Sequence, residues 1–216
     1  MHRLVVAAAT LSVLGCQPRP AAQQSQTDSS AAAVAAAPDS FLVALQTNEG
    51  RIVIQAVRAW SPRGVDRFYQ LVNARYFDGA KFFRVLDFMA QFGIAADPQN
   101  TATWDRPIPD EPVRQSNQRG FVSYAMGGPN TRTTQLFINK RNNSRLDGMG
   151  FAPFAKVIEG MEVVDRLYSG YGEAAPEGTG PLQNRIETEG NRYLNRYFPL
   201  LDSIVTARVV RVKDGE

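Results

Sequence analysis

Phe82-Phe83-Arg84-Val85-Leu86-Asp87-Phe88-Met89-Ala90-Gln91-Phe92-Gly93, followed by Gly128-Pro129-Asn130-Thr131-Arg132-Thr133-Thr134-Gln135-Leu136-Phe137-Ile138, decides the reading of this chain. Short apolar runs bounded by turn-forming residues read as successive strands. They carry Arg84, Phe88, Met89, Gln91, Gln135 and Phe137 in close succession. Alternation with Phe83 and Val85 projects Arg84 on one face of its strand, beside the aromatic set. One guanidinium, two amides and an apolar cluster form an unusual active-site inventory. On residues alone, Phe88, Met89 and Phe137, with the later Leu146, stay open between ordinary core and the wall of a pocket.

Working outward, Phe41-Leu42-Val43-Ala44-Leu45 and Arg51-Ile52-Val53-Ile54-Gln55 flank Thr47-Asn48-Glu49-Gly50, the composition of a hairpin. After Ser61-Pro62, the residues Val65, Phe68, Tyr69, Leu71 and Val72 recur at helical spacing, with Pro62 suited to a first turn. Residues 97–118 carry four prolines among charges and amides and read as a long loop. Strands follow at 121–126, 135–139 and 154–158, with Leu146-Asp147-Gly148 as a tight turn and a short helix over 160–168. Residues 203–212 alternate Ile204, Thr206, Arg208 and Val210, a strand that would close a barrel against the first hairpin. Residues 170–181 are glycine-rich, and 184–197 read as one helix with Ile186, Tyr193, Leu194 and Tyr197 for packing. This region is expected as a decoration on the barrel, with a partner-binding helix as the alternative.

The 216 residues, 44% hydrophobic, suffice for one good core. The net charge of +3 is spread among acids, so no nucleic-acid partner is expected. His2 is the only histidine and Cys16 the only cysteine. Both precede the folded part, which excludes from it a Ser-His-Asp triad, a Cys-His pair, a thiol redox site and a histidine-containing zinc site. What remains is carboxylate chemistry, a lysine-activated serine, or a mechanism with no nucleophile. Asp97, Asp105, Asp110 and Glu111 lie in the proline-rich loop, read as solvated, and form no obvious acidic pair.

Met1-His2-Arg3 is a short basic start, and the apolar run from Leu4 to Leu14 falls short of the about 20 residues a bilayer span requires. Residues 1–15 therefore read as a signal peptide. Val13-Leu14-Gly15-Cys16 resembles a bacterial lipobox, which implies lipidation of Cys16 and a membrane anchor without a spanning helix. Gln17 after the cysteine favours the outer over the inner membrane, on the periplasmic side of a bacterial envelope. Residues 16–40, rich in Ala, Gln, Ser and Pro, read as the lipidated cysteine and a flexible linker, and residues 41–216 as the functional domain.

The order of hairpin, helix, Phe-Phe-Arg, Phe-Met-Ala-Gln, Gly-Pro-Asn-Thr, Gln-Leu-Phe-Ile, Leu-Asp-Gly, Phe-Ala-Lys-Val and Glu-Gly-Met resembles the cyclophilin family of peptidyl-prolyl isomerases across 41–212. The resemblance implies a mainly β fold: a closed eight-stranded antiparallel barrel capped by two helices, with the C-terminal loop and helix added. It implies Arg84 as the catalytic arginine, oriented by Gln91. Phe88, Met89, Phe137 and Leu146 would wall the proline pocket, and Ala125 and Gln135 would line the groove for residues before proline. Proline-containing polypeptides are the implied partners, with a monomeric enzyme and no cofactor or metal. The chain departs from the family pattern at Phe83 (usually histidine), Met126 (asparagine) and Arg145 (tryptophan), all three at substrate-facing positions. The turn at Asp87 is shorter than usual, and the stretch after Gly148 is longer, with Phe151 expected to fill the side where the family carries a histidine. A tethered proline-peptide-binding module with weak or no turnover is the alternative.

Overall fold

The computed structural model describes residues 36–213. The signal peptide, Cys16 and most of the linker lie outside the described residues. Strands β1 (Ser40–Thr47) and β2 (Gly50–Val57) form the expected hairpin. Thr47 Oγ1 closes the turn by donating to the Gly50 carbonyl at 2.6 Å and accepting from the Glu49 amide at 3.1 Å. The remaining strands are β3 (Arg84–Val85), β4 (Met89–Phe92), β5 (Phe121–Tyr124), β6 (Leu136–Asn139), β7 (Pro153–Glu159) and β8 (Ile204–Lys213). They make one antiparallel sheet in the order β3-β4-β6-β5-β7-β2-β1-β8.

The expected closed barrel is not formed; the sheet is a curled half-barrel. Its end strands β3 and β8 share no ladder, and the seam holds a single bridge, Lys81 to Ser203, beside bonds from Phe82 N to the Asp202 carbonyl and Ile204 N to the Ala80 carbonyl. With only two residues, β3 offers too few backbone groups to complete a ladder. The alternation expected for β8 also fails, because Ile204 and Ala207 are buried while Val205 and Val210 are exposed. Register shifts opposite Leu42/Val43 and Gln46/Thr47 insert Val210 and Val205 as bulges, and each bulge turns the following residues to the other face.

Helix α1 (Pro62–Asn73) buries Val65, Phe68, Leu71 and Val72 and packs on β2, β7 and β8. Its free N-terminal amides are taken not by Ser61 but by Glu111, which accepts from Arg63 N at 2.7 Å and Gly64 N at 3.1 Å and also from the Ser61 hydroxyl. Arg132, buried in turn, pairs with Glu111 and Asp110. Glu111 is thus a buried strut, not the solvated residue expected. The same loop also contains a helix, α2 (Pro98–Trp104), capped by Asp97, whose carboxylate accepts from Gln99 N at 2.9 Å.

Helix α3 (Met161–Arg166) packs on β2. The single helix expected over 184–197 is two, α4 (Gln183–Glu189) and α5 (Asn191–Tyr197). They break at Gly190, whose φ of +59° and ψ of −147° only glycine adopts readily, and where a Cβ would lie 2.3 Å from the Ala96 carbonyl oxygen. Ile186, Tyr193, Leu194, Phe198 and Leu201 bury their side chains against Phe83 and Ile94, making a second apolar core at the β3–β4 end of the sheet. Tyr197, expected to pack, is half exposed.

Candidate active site

Register decides which side chains meet. Arg84 of β3 sits opposite Gln91 of β4, and Gln91 opposite Phe137 of β6. Paired residues share a face, as do residues two apart, so Arg84, Gln91, Phe137 and Met89 all project outward. Ala90, Phe92, Leu136 and Ile138 on the other face enter the main core. The outer face carries a cavity of about 420 Å³ bordered by Arg84, Gln91 and Gln135, by Phe88, Met89, Phe137, Leu146 and Phe151, and by Ala125, Met126 and Arg145. The structure therefore brings together all but one of the substrate-facing residues that the sequence pointed to.

The exception is Phe83. It is 1% exposed and packs in the second core with Ile186, Tyr193 and Leu194. Strand alternation is the reason: a residue next to Arg84 faces the opposite side.

The apolar wall is tightly packed. Met89, Phe137 and Leu146 are buried together, with Leu86, Phe88, Ala125 and Phe151 against them. Phe151 meets Phe137 edge-on at 5.7 Å, and the exposed Arg145 lies over the Phe88 ring at 5.3 Å. Behind the wall runs a buried amide network that sequence reading missed. Asn117 Nδ2 donates to Asp147 Oδ1 at 2.8 Å and to the Phe151 carbonyl at 2.7 Å. Its Oδ1 accepts from Ser123 Oγ at 2.8 Å and Asn139 Nδ2 at 3.3 Å. Asn143 Nδ2 donates to Asn139 Oδ1 and to the Phe88 carbonyl, both at 2.8 Å. The network thus grips the backbone of Phe88 and Phe151 and the side chain next to Leu146. Leu146-Asp147-Gly148, expected as a tight turn, lies within a short 3-10 helix, Ser144–Met149, that presents Leu146 inward. Burial would raise the Asp147 carboxyl, but bonds from Ser116 and Asn117 outweigh it and hold it below the usual aspartate range.

The polar side is a single line of hydrogen bonds. Arg84 Nη1 donates to Gln91 Oε1 at 3.0 Å, Gln91 Nε2 to Gln135 Oε1 at 2.9 Å, and Gln135 Nε2 to Glu187 Oε1 at 3.3 Å. At the other end Arg84 Nε donates to both oxygens of Glu173, at 2.7 and 2.8 Å, and Nη2 closes the pair. Both terminal carboxylates come from residues 170–189. Nothing in local spacing pointed to them, since Glu173 is distant in sequence and lies in a stretch that reads as a glycine-rich loop.

The family profile described as "Cyclophilin type peptidyl-prolyl cis-trans isomerase/CLD" matches residues 42–187. The chain belongs to this family of enzymes, the peptidyl-prolyl cis-trans isomerases of cyclophilin type. Among its relatives, peptidyl-prolyl cis-trans isomerase A of Dickeya dadantii is 34% identical over 157 residues, 69% of this chain and 80% of that protein. The human peptidyl-prolyl cis-trans isomerase-like 3 is 35% identical over 133 residues, 58% of this chain and 80% of that protein. In fold, the chain is similar to a cyclophilin type peptidyl-prolyl cis-trans isomerase of Cryptosporidium parvum, with a TM-score of 0.59 at 20% identity, covering 81% of this chain and 99% of that one.

Proposed function

We propose that the chain assists the folding of exported proteins by rotating Xaa-Pro bonds, using the outer-face cavity as its active site. Amide resonance sets a barrier of about 18–20 kcal/mol to this rotation, and no bond need break, so neither nucleophile nor titrating acid is required. Phe88, Met89, Phe137 and Leu146 hold the proline ring while the acyl side turns. Arg84 donates to the substrate carbonyl or to the proline nitrogen, whose lone pair becomes a better acceptor as resonance is lost. The arginine thus binds the twisted state more strongly than either planar one. The observation that carries this reading is the juxtaposition of one buried apolar cup with one oriented guanidinium across β3, β4 and β6. A Cryptosporidium parvum relative of the same fold has been solved in the presence of dipeptide Ala-Pro, which accords with a proline-sized cup.

Lipidation of Cys16 would tether a monomeric domain to the periplasmic face of a bacterial envelope, the outer membrane favoured, within reach of emerging chains. One observation favours a second reading, a proline-peptide-binding module of low turnover: Met126 and Arg145 border the cavity at the positions where the family pattern has asparagine and tryptophan.

The deciding measurement is the cis-to-trans rate of a short Ala-Pro-Phe peptide with the full chain and with Arg84→Ala. Loss of the charged donor is expected to lower kcat/KM about a hundredfold. Arg84→Lys is expected to recover little, because an ammonium lacks the planar fork. Full activity in Arg84→Ala would sink the assignment, and peptide binding without acceleration by the wild type would establish the second reading.

A further inference from the structure

We infer that Glu173 is a positioning residue for Arg84, supplied to the active site by the glycine-rich loop at 170–181; the inference rests on the assignment of Arg84 above. An arginine side chain carries about 2 kcal/mol of rotamer entropy, and a guanidinium held at one terminal nitrogen by Gln91 can still swing. Glu173 takes the opposite edge through Nε and Nη2. Three of the five N–H groups are then committed, and one on each terminal nitrogen remains for a peptide.

The pair is partly buried, at 26% and 31% side-chain exposure, unlike a freely hydrated surface contact. Hydrogen bonds from Arg84 hold the Glu173 carboxyl below the usual glutamate range, against the opposing effect of burial, so it is charged at neutral pH.

The loop is built to hold this carboxylate in place. Glu173 Oε1 also accepts from Ala174 N at 3.2 Å. The loop closes on itself where Gly180 N donates to the Glu173 carbonyl at 2.6 Å and Gly178 N to the Ala174 carbonyl at 3.1 Å. A Cβ at Gly178 would lie 2.2 Å from the Glu173 carbonyl oxygen, so only glycine permits the closure. Two residues earlier, Tyr171 is pinned between Tyr168 and Phe198, each at 5.0 Å.

A carboxylate beside a catalytic cation lowers its field, which would be costly if the reaction built up negative charge. Rotation about an amide creates no net charge. Orientation of the N–H donors toward a lone pair therefore outweighs the lost field, and a clamped arginine is the better catalyst.

The test is a double-mutant cycle in the full chain, reading kcat and KM for an Ala-Pro-Phe peptide. Glu173→Ala and Glu173→Gln are expected to lower kcat about tenfold with KM changed less than about twofold. In an Arg84→Ala background the Glu173 substitutions are expected to cost nothing further, because the partner through which they act is gone. Thermal melting checks folding, and Glu173→Gln carries the cycle if the alanine variant does not fold. The inference is overturned if kcat in both variants stays within about twofold of wild type, if it rises, or if the loss repeats in full without Arg84. Wild-type activity in Arg84→Ala alone would instead show that the arginine is not catalytic, and the positioning role would fall with it.

Discussion

Truncation of Asn117 to alanine puts the amide network behind the proline-binding wall to a direct test. Four side-chain hydrogen bonds meet on this fully buried residue, and the partners do not lose equally. Asn139 Nδ2 keeps the Phe121 carbonyl at 2.9 Å, and Asp147 keeps Ser116 Oγ at 2.6 Å and the residue-117 amide at 2.9 Å. Ser123, with no exposed surface, loses the one acceptor its hydroxyl has, at a cost of about 1–3 kcal/mol. Losing the bonds to the Phe151 carbonyl and to the charged Asp147 adds on the order of 1 kcal/mol after hydration of those groups. The expected total is about 3 kcal/mol, or roughly 9 °C in Tm for a domain of this size. Urea unfolding of the single variant measures it. The double variant Asn117→Ala/Ser123→Ala should recover about 1 kcal/mol, because the stranded hydroxyl is removed with its acceptor. A single-variant loss under about 1 kcal/mol, or a further loss on adding Ser123→Ala, would refute the reasoning.

Three more outcomes follow from the geometry. Phe83→Ala empties the centre of the second core and should cost about 3–5 kcal/mol by denaturant unfolding, whereas a substrate-wall residue would lose activity with little stability. Gly190→Ala forces a side chain onto the Ala96 carbonyl in a conformation that itself costs about 1–3 kcal/mol, and should lower Tm by several degrees, where a glycine with ordinary helical φ and ψ would gain from alanine. Burial, helped by the charge of Asp105, raises the Glu187 carboxyl above the usual glutamate value. The folded state therefore holds this proton more tightly than the unfolded chain, so its contribution to stability falls as pH rises through the window between the two values. Glu187 is an exposed residue, so solvent screens most of this effect, and Glu187→Gln should be at most slightly more stable than wild type at pH 7 and equal to it near pH 4, measured by melting; a variant clearly less stable at pH 7 would contradict this.

The Phe82–Gly93 and Gly128–Ile138 stretches made their strands and the outward side of Arg84 legible, because alternation is a local property of sequence, while the eight-stranded sheet and the cavity wall came only with the family resemblance those stretches carry. Phe83 shows the limit of motif correspondence. The resemblance carried it over as a substrate-facing position, yet next to Arg84 it must face away, and α4 and α5 supply an apolar surface to receive it. The break at Gly190 was hidden because the apolar residues on either side keep a helical spacing, while the backbone geometry depends on a contact with Ala96. The closed barrel was overread for a related reason: closure depends on ladder length at the seam, and two residues of β3 cannot supply it. Glu111, Glu173 and Glu187 carried no signal, since each acts on a partner many residues away.

The separation of the two apolar cores gives the molecule two opening free energies. Glu173 and Glu187, at the ends of the glutamine line, both belong to the part built around the smaller core. Sub-global opening of that part releases Arg84 and Gln135 while leaving the β1–β2–β7–β8 ladders paired. Isomerase activity should then fade on warming before the sheet unfolds, and amide hydrogens of α4 and α5 should exchange ahead of those in the central strands.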